Sequence, residues 1–98
     1  MSFPARLDFE RDEAVTYARW RVYVKYCCVE LQFQPPRPVK VWPIVAKLHM
    51  DKQKAIRALD WLVAEGYLVD HGRDEAGTRQ LTLAYERRRF QNATPSAA

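Results

Sequence analysis

The strongest constraint on the fold is a pair of short helices that the sequence predicts between residues 42 and 65, separated by a three-residue turn. The first helix spans residues 42–48, and Pro43 lies in its first turn, where a missing N–H costs no hydrogen bond. Asp51 ends the turn and is placed to cap the second helix, which the pattern extends over residues 52–65. A pair of this kind offers one exposed helix to a groove in nucleic acid.

A two-stranded hairpin is predicted to follow the helix pair. Gly66 fits a left-handed cap at the end of the second helix. The hairpin then occupies residues 67–85, with its turn at residues 73–78. Upstream of the pair, three prolines within residues 35–38 form a rigid elbow, after which residues 39–41 can form a short strand.

The second helix of the pair has two chemically different faces. Ala55, Leu59 and Leu62 share one face, which is expected to pack against the core. The opposite arc is mainly polar and carries Gln53, Lys54, Arg57, Asp60 and Trp61. An ordinary solvated helix face without a ligand is the alternative to a binding surface.

One long helix is predicted over residues 11–34. Spacings of three and four give it an apolar stripe: Val15, Ala18, Val22, Tyr26, Val29 and Phe33. A second stripe lies on the opposite face: Tyr17, Trp20, Val24, Cys27, Cys28 and Leu31. Because a small domain covers one side of a helix, this second stripe predicts a homodimer interface that includes Tyr17, Trp20, Val24, Cys27 and Leu31. A strand over residues 20–26, which also alternate, is the alternative.

The chain has the length of one domain, which we place at residues 11–90. Residues 1–10 are expected to form a loosely held N-terminal arm, and residues 91–98 a flexible tail. A helical turn is predicted over residues 85–90. Its three consecutive arginines, 87–89, are typical of a solubilising end rather than of a specific reader of nucleic acid.

Positive charge is distributed unevenly along the chain. The formal net charge is +4, and residues 1–34 hold five basic and five acidic side chains. Residues 35–98 hold eleven basic and seven acidic side chains. The excess therefore belongs to the half with the helix pair and the hairpin, where phosphate groups would bind.

Several other classes of protein are disfavoured. The sequence has no glycine-rich phosphate loop, no nucleophile elbow and no metal-ligand spacing around His49 or His71, so neither an enzyme, a cofactor nor a metal site is expected. It has no long apolar run and no signal-peptide core, so a cytoplasmic protein without membrane contact is expected. Cys27 and Cys28 are neighbours, which seldom form a disulfide; we interpret them as small apolar residues, with a redox switch as the alternative.

Two segments carry a resemblance to a known family. Residues 44–69, above all Leu59, Leu62 and the ending Gly66-Tyr67-Leu68, resemble a winged helix-turn-helix DNA-binding domain. Residues 72–83 are similar to the wing of such domains. The likeness is to the MarR- and PadR-like bacterial transcription regulators and covers about half of the chain. It implies an α+β, mainly α fold with a long N-terminal helix, a short strand, a helix-turn-helix and a two-stranded wing.

The function that this resemblance implies is transcriptional regulation through double-stranded DNA, with the protein acting as a homodimer. Helix 52–65 would read the major groove, and the 67–83 wing would contact the backbone or minor groove. The implied DNA-binding residues are Lys52, Gln53, Lys54, Arg57, Arg73 and Arg79. Arginine suits guanine, glutamine suits adenine and lysine neutralises phosphate. Whether a small-molecule effector exists is left open.

Some positions depart from the pattern of the family. His49 stands where glycine is common, and Trp61 stands where a polar residue is common. The long C-terminal dimerisation helix is missing, so a homodimer would depend on the long first helix. Asp60 is expected to orient Arg57. Because acids dilute the basic surface, a winged-helix protein–protein interaction module of a replication, secretion or phage-type complex is the alternative function, and RNA binding is a third.

Overall fold

The structure is a computed structural model that describes residues 2–87. Three short strands pair antiparallel in one sheet, in which the last strand of the sequence lies between the other two, and helices precede and separate them. The predicted α+β class is confirmed at this level. The elements are α1 Pro4–Arg11, α2 Tyr17–Trp20, a π-helix Arg21–Cys27, α3 Cys28–Glu30, β1 Arg37–Val39, α4 Val41–Leu48, α5 Lys52–Ala64, β2 Leu68–Arg73 and β3 Arg79–Leu83.

Helix α1 replaces most of the N-terminal arm that was predicted over residues 1–10. It begins at Pro4, where the missing N–H costs no hydrogen bond, and it buries Ala5 and Phe9. The ring of Phe9 lies 4.2 Å from the ring of Tyr23, centroid to centroid. This segment therefore belongs to the core, because a buried aromatic ring fixes it there.

The elements α2, π-helix and α3 follow one another without a break and are called the central helix below (residues 17–30). The helix begins after Thr16, whose side chain accepts a hydrogen bond from the backbone N–H of Arg19. It is shorter at both ends than the predicted helix over residues 11–34. The strand alternative over residues 20–26 is wrong, since these residues are helical.

The π-helix changes which side chains the central helix buries. Hydrogen bonds from i to i+5 widen each turn, so stripes drawn at 100° per residue lose their register. The buried residues of this segment are Val22, Tyr23, Tyr26 and Cys27, which combine members of both predicted stripes with Tyr23, a member of neither. Val29 of the first stripe is instead 63 % exposed.

Helices α4 and α5 occupy the positions of the predicted helix pair to within one residue. The Asp51 side chain caps α5 by accepting hydrogen bonds from the backbone N–H groups of Gln53 and Lys54, at 3.0 and 3.3 Å. Between the helices, His49 adopts a left-handed conformation with φ 51° and ψ 51°. This conformation favours glycine, so the turn carries backbone strain at His49.

The end of α5 has the geometry of a Schellman cap. Gly66 has a φ of 85°, as the sequence predicts for a left-handed cap. The backbone N–H of Gly66 donates to the carbonyl of Val63, and that of Tyr67 donates to the carbonyl of Leu62. This cap directs the chain from the helix straight into β2.

The hairpin of β2 and β3 lies within the predicted residues 67–85. Leu68 pairs with Leu83, and the register shifts between Asp70 and Arg73, which marks a bulge. The short third strand, β1, pairs with β3 and ends at Val39, two residues earlier than predicted, because α4 already begins at Val41.

Arg87 joins the end of the described chain to α1 and α5. Its Nε donates to the carbonyl of Glu65 at 2.8 Å, and its Nη2 lies 2.7 Å from Glu65 Oε1 and 3.3 Å from Asp12 Oδ2. The same Asp12 oxygen accepts a hydrogen bond from the Tyr67 hydroxyl at 2.6 Å. Arg87 is therefore a structural residue rather than part of a solubilising end. Residues 85–87 are not helical, while residues 88–90 of the predicted turn and the predicted tail 91–98 lie outside the described residues.

The hydrophobic core lies between the sheet, the central helix and α5. No helix within residues 2–87 is both long enough and apolar enough to cross a membrane. The largest fully buried side chains come from every part of the described chain: Phe9, Val22, Tyr23, Cys27, Ile44, Leu59, Leu62, Tyr67, Leu68 and Leu81.

Candidate nucleic-acid interface

The outer face of α5 is the first component of the candidate site. The opposite face of this helix is buried through Ala55, Ala58, Leu59 and Leu62. A rotation of 100° per residue then places Gln53 and Arg57 at the centre of the face that points to solvent. All four predicted contact residues of the helix are exposed: Lys52, Gln53, Lys54 and Arg57.

The start of the central helix borders one side of this face. A groove of about 230 Å³ runs between the two helices. Two cations of α5 line one wall, and the first turn of the central helix lines the other. The lining residues are Thr16, Ala18, Arg19, Lys54, Arg57 and Ala58.

Trp61 occupies the junction between these two helices rather than an open surface. Its ring packs against the ring of Tyr67, with centroids 5.7 Å apart. The guanidinium of Arg19 lies 4.3 Å from the centroid of Trp61, and Arg19 Nη1 donates to the carbonyl of Ala14 at 2.6 Å. Trp61 therefore holds the central helix against α5 through a cation–π contact.

Arg79, one of the predicted DNA contacts, is engaged inside the protein. Its Nη1 donates to Asp60 Oδ1 at 2.7 Å, and its Nε donates to Asp70 Oδ2 at 3.0 Å. Only 15 % of its side chain is exposed. Arg79 was predicted to contact DNA with a free guanidinium. In the structure this guanidinium already donates to two carboxylates. Asp60 orients Arg79 and not Arg57, contrary to expectation.

Arg73 is the exposed arginine near the tip of the hairpin. Its Nη1 donates to the carbonyl of Gly77 at 2.9 Å. Asp74 shapes the turn by accepting hydrogen bonds from the backbone N–H groups of Ala76 and Thr78, at 2.9 and 2.8 Å. With Ile56 and Asp60 of α5, Arg73 also lines a cavity of about 280 Å³ between the hairpin and that helix. Arg73 is therefore positioned beside the outer face of α5.

The predicted homodimer interface is divided by the structure. Cys27 is fully buried and Leu31 is 7 % exposed, so neither can face a partner. The π-helix turns Cys27 into the core, and Leu31 lies just after α3, where the chain is already extended. Val24 is half-buried against the core. Tyr17 and Trp20 stay on the surface, at 73 % and 38 % exposure. Two of the five predicted interface residues are thereby excluded.

The two cysteines are free thiols, of which Cys27 is buried and Cys28 is half-buried. Burial raises the pKa of the Cys27 thiol, and the neighbouring Cys28 raises it further. Burial also raises the pKa of Cys28, although Arg6 opposes this. A raised thiol pKa lowers the fraction of reactive thiolate, which favours the structural interpretation over the redox switch.

Sequence reasoning did not foresee how the cations of the central helix are arranged. Arg21 donates from Nη2 to the carbonyl of Leu48 and so ties the central helix to the end of α4. Its guanidinium lies 5.4 Å from the centroid of Tyr17, and the amine of Lys25 lies 5.5 Å from that of Trp20. Tyr17 and Arg21 are four residues apart, a spacing that brings side chains together on a helix and was the available signal. Trp20 and Lys25 are five residues apart, and the wider turn of the π-helix brings them together.

Within residues 2–87, no three histidine, cysteine, aspartate or glutamate side chains are grouped as a metal site would need. Comparisons with protein-family models, with curated proteins and with solved structures give no significant match for this chain.

Proposed function

We propose that this protein is a winged helix-turn-helix protein that binds double-stranded DNA and regulates transcription. The order of α4, α5 and the hairpin, with β1 paired to β3, is compatible with that layout. The observation that carries the proposal is the orientation of α5. Its apolar face is buried, while Gln53 and Arg57 lie at the centre of its exposed face.

Each exposed residue has a distinct role in this proposal. Helix α5 enters the major groove, where Arg57 can bind guanine bidentately and Gln53 can bind adenine. Lys52 and Lys54 neutralise phosphates at the start of the helix. Arg73 contacts the flanking backbone or minor groove from the hairpin.

Arg79 has an indirect role in the proposal. By binding both Asp60 and Asp70, it fixes the hairpin relative to α5. A fixed hairpin sets the distance between the major-groove contacts and the flanking contact of Arg73. Arg79 therefore acts as a positioning residue for DNA binding.

A salt series on random-sequence duplex DNA tests the proposal. Fluorescence anisotropy is expected to detect binding at low salt, because cations that neutralise phosphates release counterions. With three to four phosphate contacts, the logarithm of the association constant falls against log salt with a slope of about −3. Binding that is absent at low salt, or that ignores salt, would contradict the proposal.

The homodimer stays a prediction within this proposal. The surface left for it is Tyr17, Trp20 and part of Val24. Residues 17–28 carry three cations and no acid, so two copies that meet there bring like charges together. Light scattering at increasing protein concentration tests for the dimer. A rise of the measured molar mass toward twice 11.5 kDa indicates a dimer.

A protein–protein interaction module is the second candidate function, and a separate surface favours it. The rings of Phe3, Phe33 and Tyr85 form a cluster with centroids 5.0 to 6.4 Å apart. Phe33 is 44 % exposed and Tyr85 is 56 % exposed. Exposed aromatic clusters mark interaction sites. The same salt series separates the candidates, since a module of this kind does not bind random duplex.

A further inference from the structure

Two aromatic rings lie side by side on the exposed surface of the central helix. Tyr17 and Trp20 have ring planes within 10° of parallel and centroids 6.2 Å apart. They are 73 % and 38 % exposed. We call this pair the aromatic shelf. Tyr17 is the more exposed of the two and presents the larger open surface, against which a flat partner can stack.

The charge around the aromatic shelf indicates the kind of partner. Arg21 lies 5.4 Å from the Tyr17 ring and Lys25 lies 5.5 Å from the Trp20 ring. No acid occurs within residues 17–28. An apolar protein surface would have to desolvate these cations without compensation, whereas a polyanion neutralises them. The complementary partner is therefore a nucleic acid strand.

The position of the aromatic shelf connects it to the proposed duplex site. A groove of about 400 Å³ runs from the first turn of the central helix to the start of α5. Tyr17 and Arg21 line one side of it. His49, Lys54 and the α5 cap Asp51 line the other, so the groove holds two cations and one acid. A strand that leaves a duplex at the start of α5 can follow this groove to the aromatic shelf.

We propose that the aromatic shelf stacks against unpaired bases, so that the substrate is a duplex with a single-stranded extension. Inside an intact duplex the base faces are stacked on each other and closed to a side-chain ring, while an unpaired base presents a free face. Arg21 and Lys25 then neutralise the phosphates of the extension. The inference rests on the proposed function, because α5 supplies the contact with the paired part.

The test compares three labelled probes: a blunt duplex, the same duplex with a single-stranded extension of about ten nucleotides, and the extension alone. The wild-type chain is expected to bind the extended duplex about tenfold more tightly than the blunt one. Tyr17→Ala and Trp20→Ala are expected to remove that gain and leave blunt-duplex affinity unchanged. Trp42→Ala is the matched control, since Trp42 is 73 % exposed on α4.

The outcomes separate this inference from the proposed function. Equal binding of blunt and extended duplexes overturns the role of the aromatic shelf and leaves duplex binding intact. Binding of the single strand alone, lost in Tyr17→Ala and without any duplex binding, overturns both the duplex proposal and the extended-duplex substrate, and leaves the aromatic shelf as a single-strand site. A dimer that Tyr17→Ala dissociates, together with no preference among the probes, assigns the shelf to a second copy and overturns the inference.

Discussion

Arg79 of β3 and Asp60 of α5 form an ion pair at 2.7 Å that joins the hairpin to the outer face of the helix. Asp70 of β2 holds the same guanidinium from the other side at 3.0 Å. Hydrogen bonds that involve two charged groups are stronger than neutral ones, and a guanidinium with two carboxylates has a fixed orientation. Arg79 thus adds a charged link between the hairpin and α5 to the pairing of β3 with β1 and the burial of the hairpin leucines.

Arg79→Ala is expected to lower the free energy of unfolding by about 1 kcal/mol, because the hydrogen bonds are charge-assisted but Asp60 is well exposed. Urea denaturation measures this loss. Duplex affinity is expected to fall, because the Arg73 contact is less well positioned, whereas the salt slope is expected to stay close to that of wild type, since Arg79 itself contacts no phosphate. Arg73→Ala is the matched arginine variant and is expected to reduce the slope by about 1. A reduced slope with unchanged stability in Arg79→Ala would mean that Arg79 itself binds DNA.

The Asp70 carboxylate is expected to make the free energy of unfolding fall at acid pH. Burial raises its pKa, but the backbone N–H of Gly72, at 2.8 Å, and Arg79 lower the pKa by more. Because the folded pKa is below the ordinary 3.8, the stabilisation is complete above that value and is lost as pH falls through the folded pKa. Asp70→Asn lacks this titration.

The measurement is urea denaturation of wild type and Asp70→Asn at a series of pH values. The difference in unfolding free energy is expected to be constant from about pH 7 to pH 5 and to shrink below about pH 4. A difference that is unchanged at about pH 2.5 would show that the Asp70 carboxylate has the same pKa folded and unfolded.

His49→Gly is expected to stabilise the protein. A side chain in the left-handed conformation costs about 1–2 kcal/mol, and glycine recovers most of this while losing some backbone entropy. We expect a net gain of about 0.5–1 kcal/mol in thermal or urea unfolding. His49→Ala keeps the Cβ atom and serves as the control, with no gain. Equal stability of the glycine and alanine variants would contradict strain at this turn.

Tyr67→Phe is expected to destabilise the fold by about 1–2 kcal/mol. Burial and the hydrogen bond to Asp12 raise the pKa of the Tyr67 hydroxyl, which therefore keeps its proton and donates it. Without the Tyr67 hydroxyl, the Asp12 carboxylate, which is 13 % exposed, loses one hydrogen-bond donor. Tyr85→Phe, on an exposed ring, is the control and should be neutral in urea denaturation. A neutral Tyr67→Phe would mean that the bond with Asp12 adds nothing to stability.

Local signals in the sequence predicted the helix pair and its ends well. Asp51 and Gly66 act through the backbone within three residues of their own positions, so the sequence alone is sufficient to place them. The alternation of the return strand likewise depends on neighbouring residues. The sequence predicts these elements correctly because the interactions that determine them are between neighbouring residues.

The interactions that sequence reasoning missed are long-range ones. Helix α1 has two buried residues, Ala5 and Phe9, which is too few to stand out as a stripe. The π-helix shifts the buried face of the central helix. Because the prediction assumed a regular α-helix, it placed Cys27 in a dimer interface. Arg79 and Asp60 are 19 positions apart, and no spacing rule relates a strand residue to a helix residue.

Arg57 tests the central claim most directly. A preferred duplex is first selected from a random pool, and the affinity of wild type, Arg57→Ala and Lys47→Ala is then measured at one salt concentration. Lys47 is the matched control, because it is a surface cation that pairs with Glu30 at the other end of the central helix. We expect Arg57→Ala to weaken binding of the selected duplex by about 1–3 kcal/mol, with a much smaller effect on random duplex. Wild-type affinity in Arg57→Ala, or the lack of any preferred duplex, would contradict groove reading by α5.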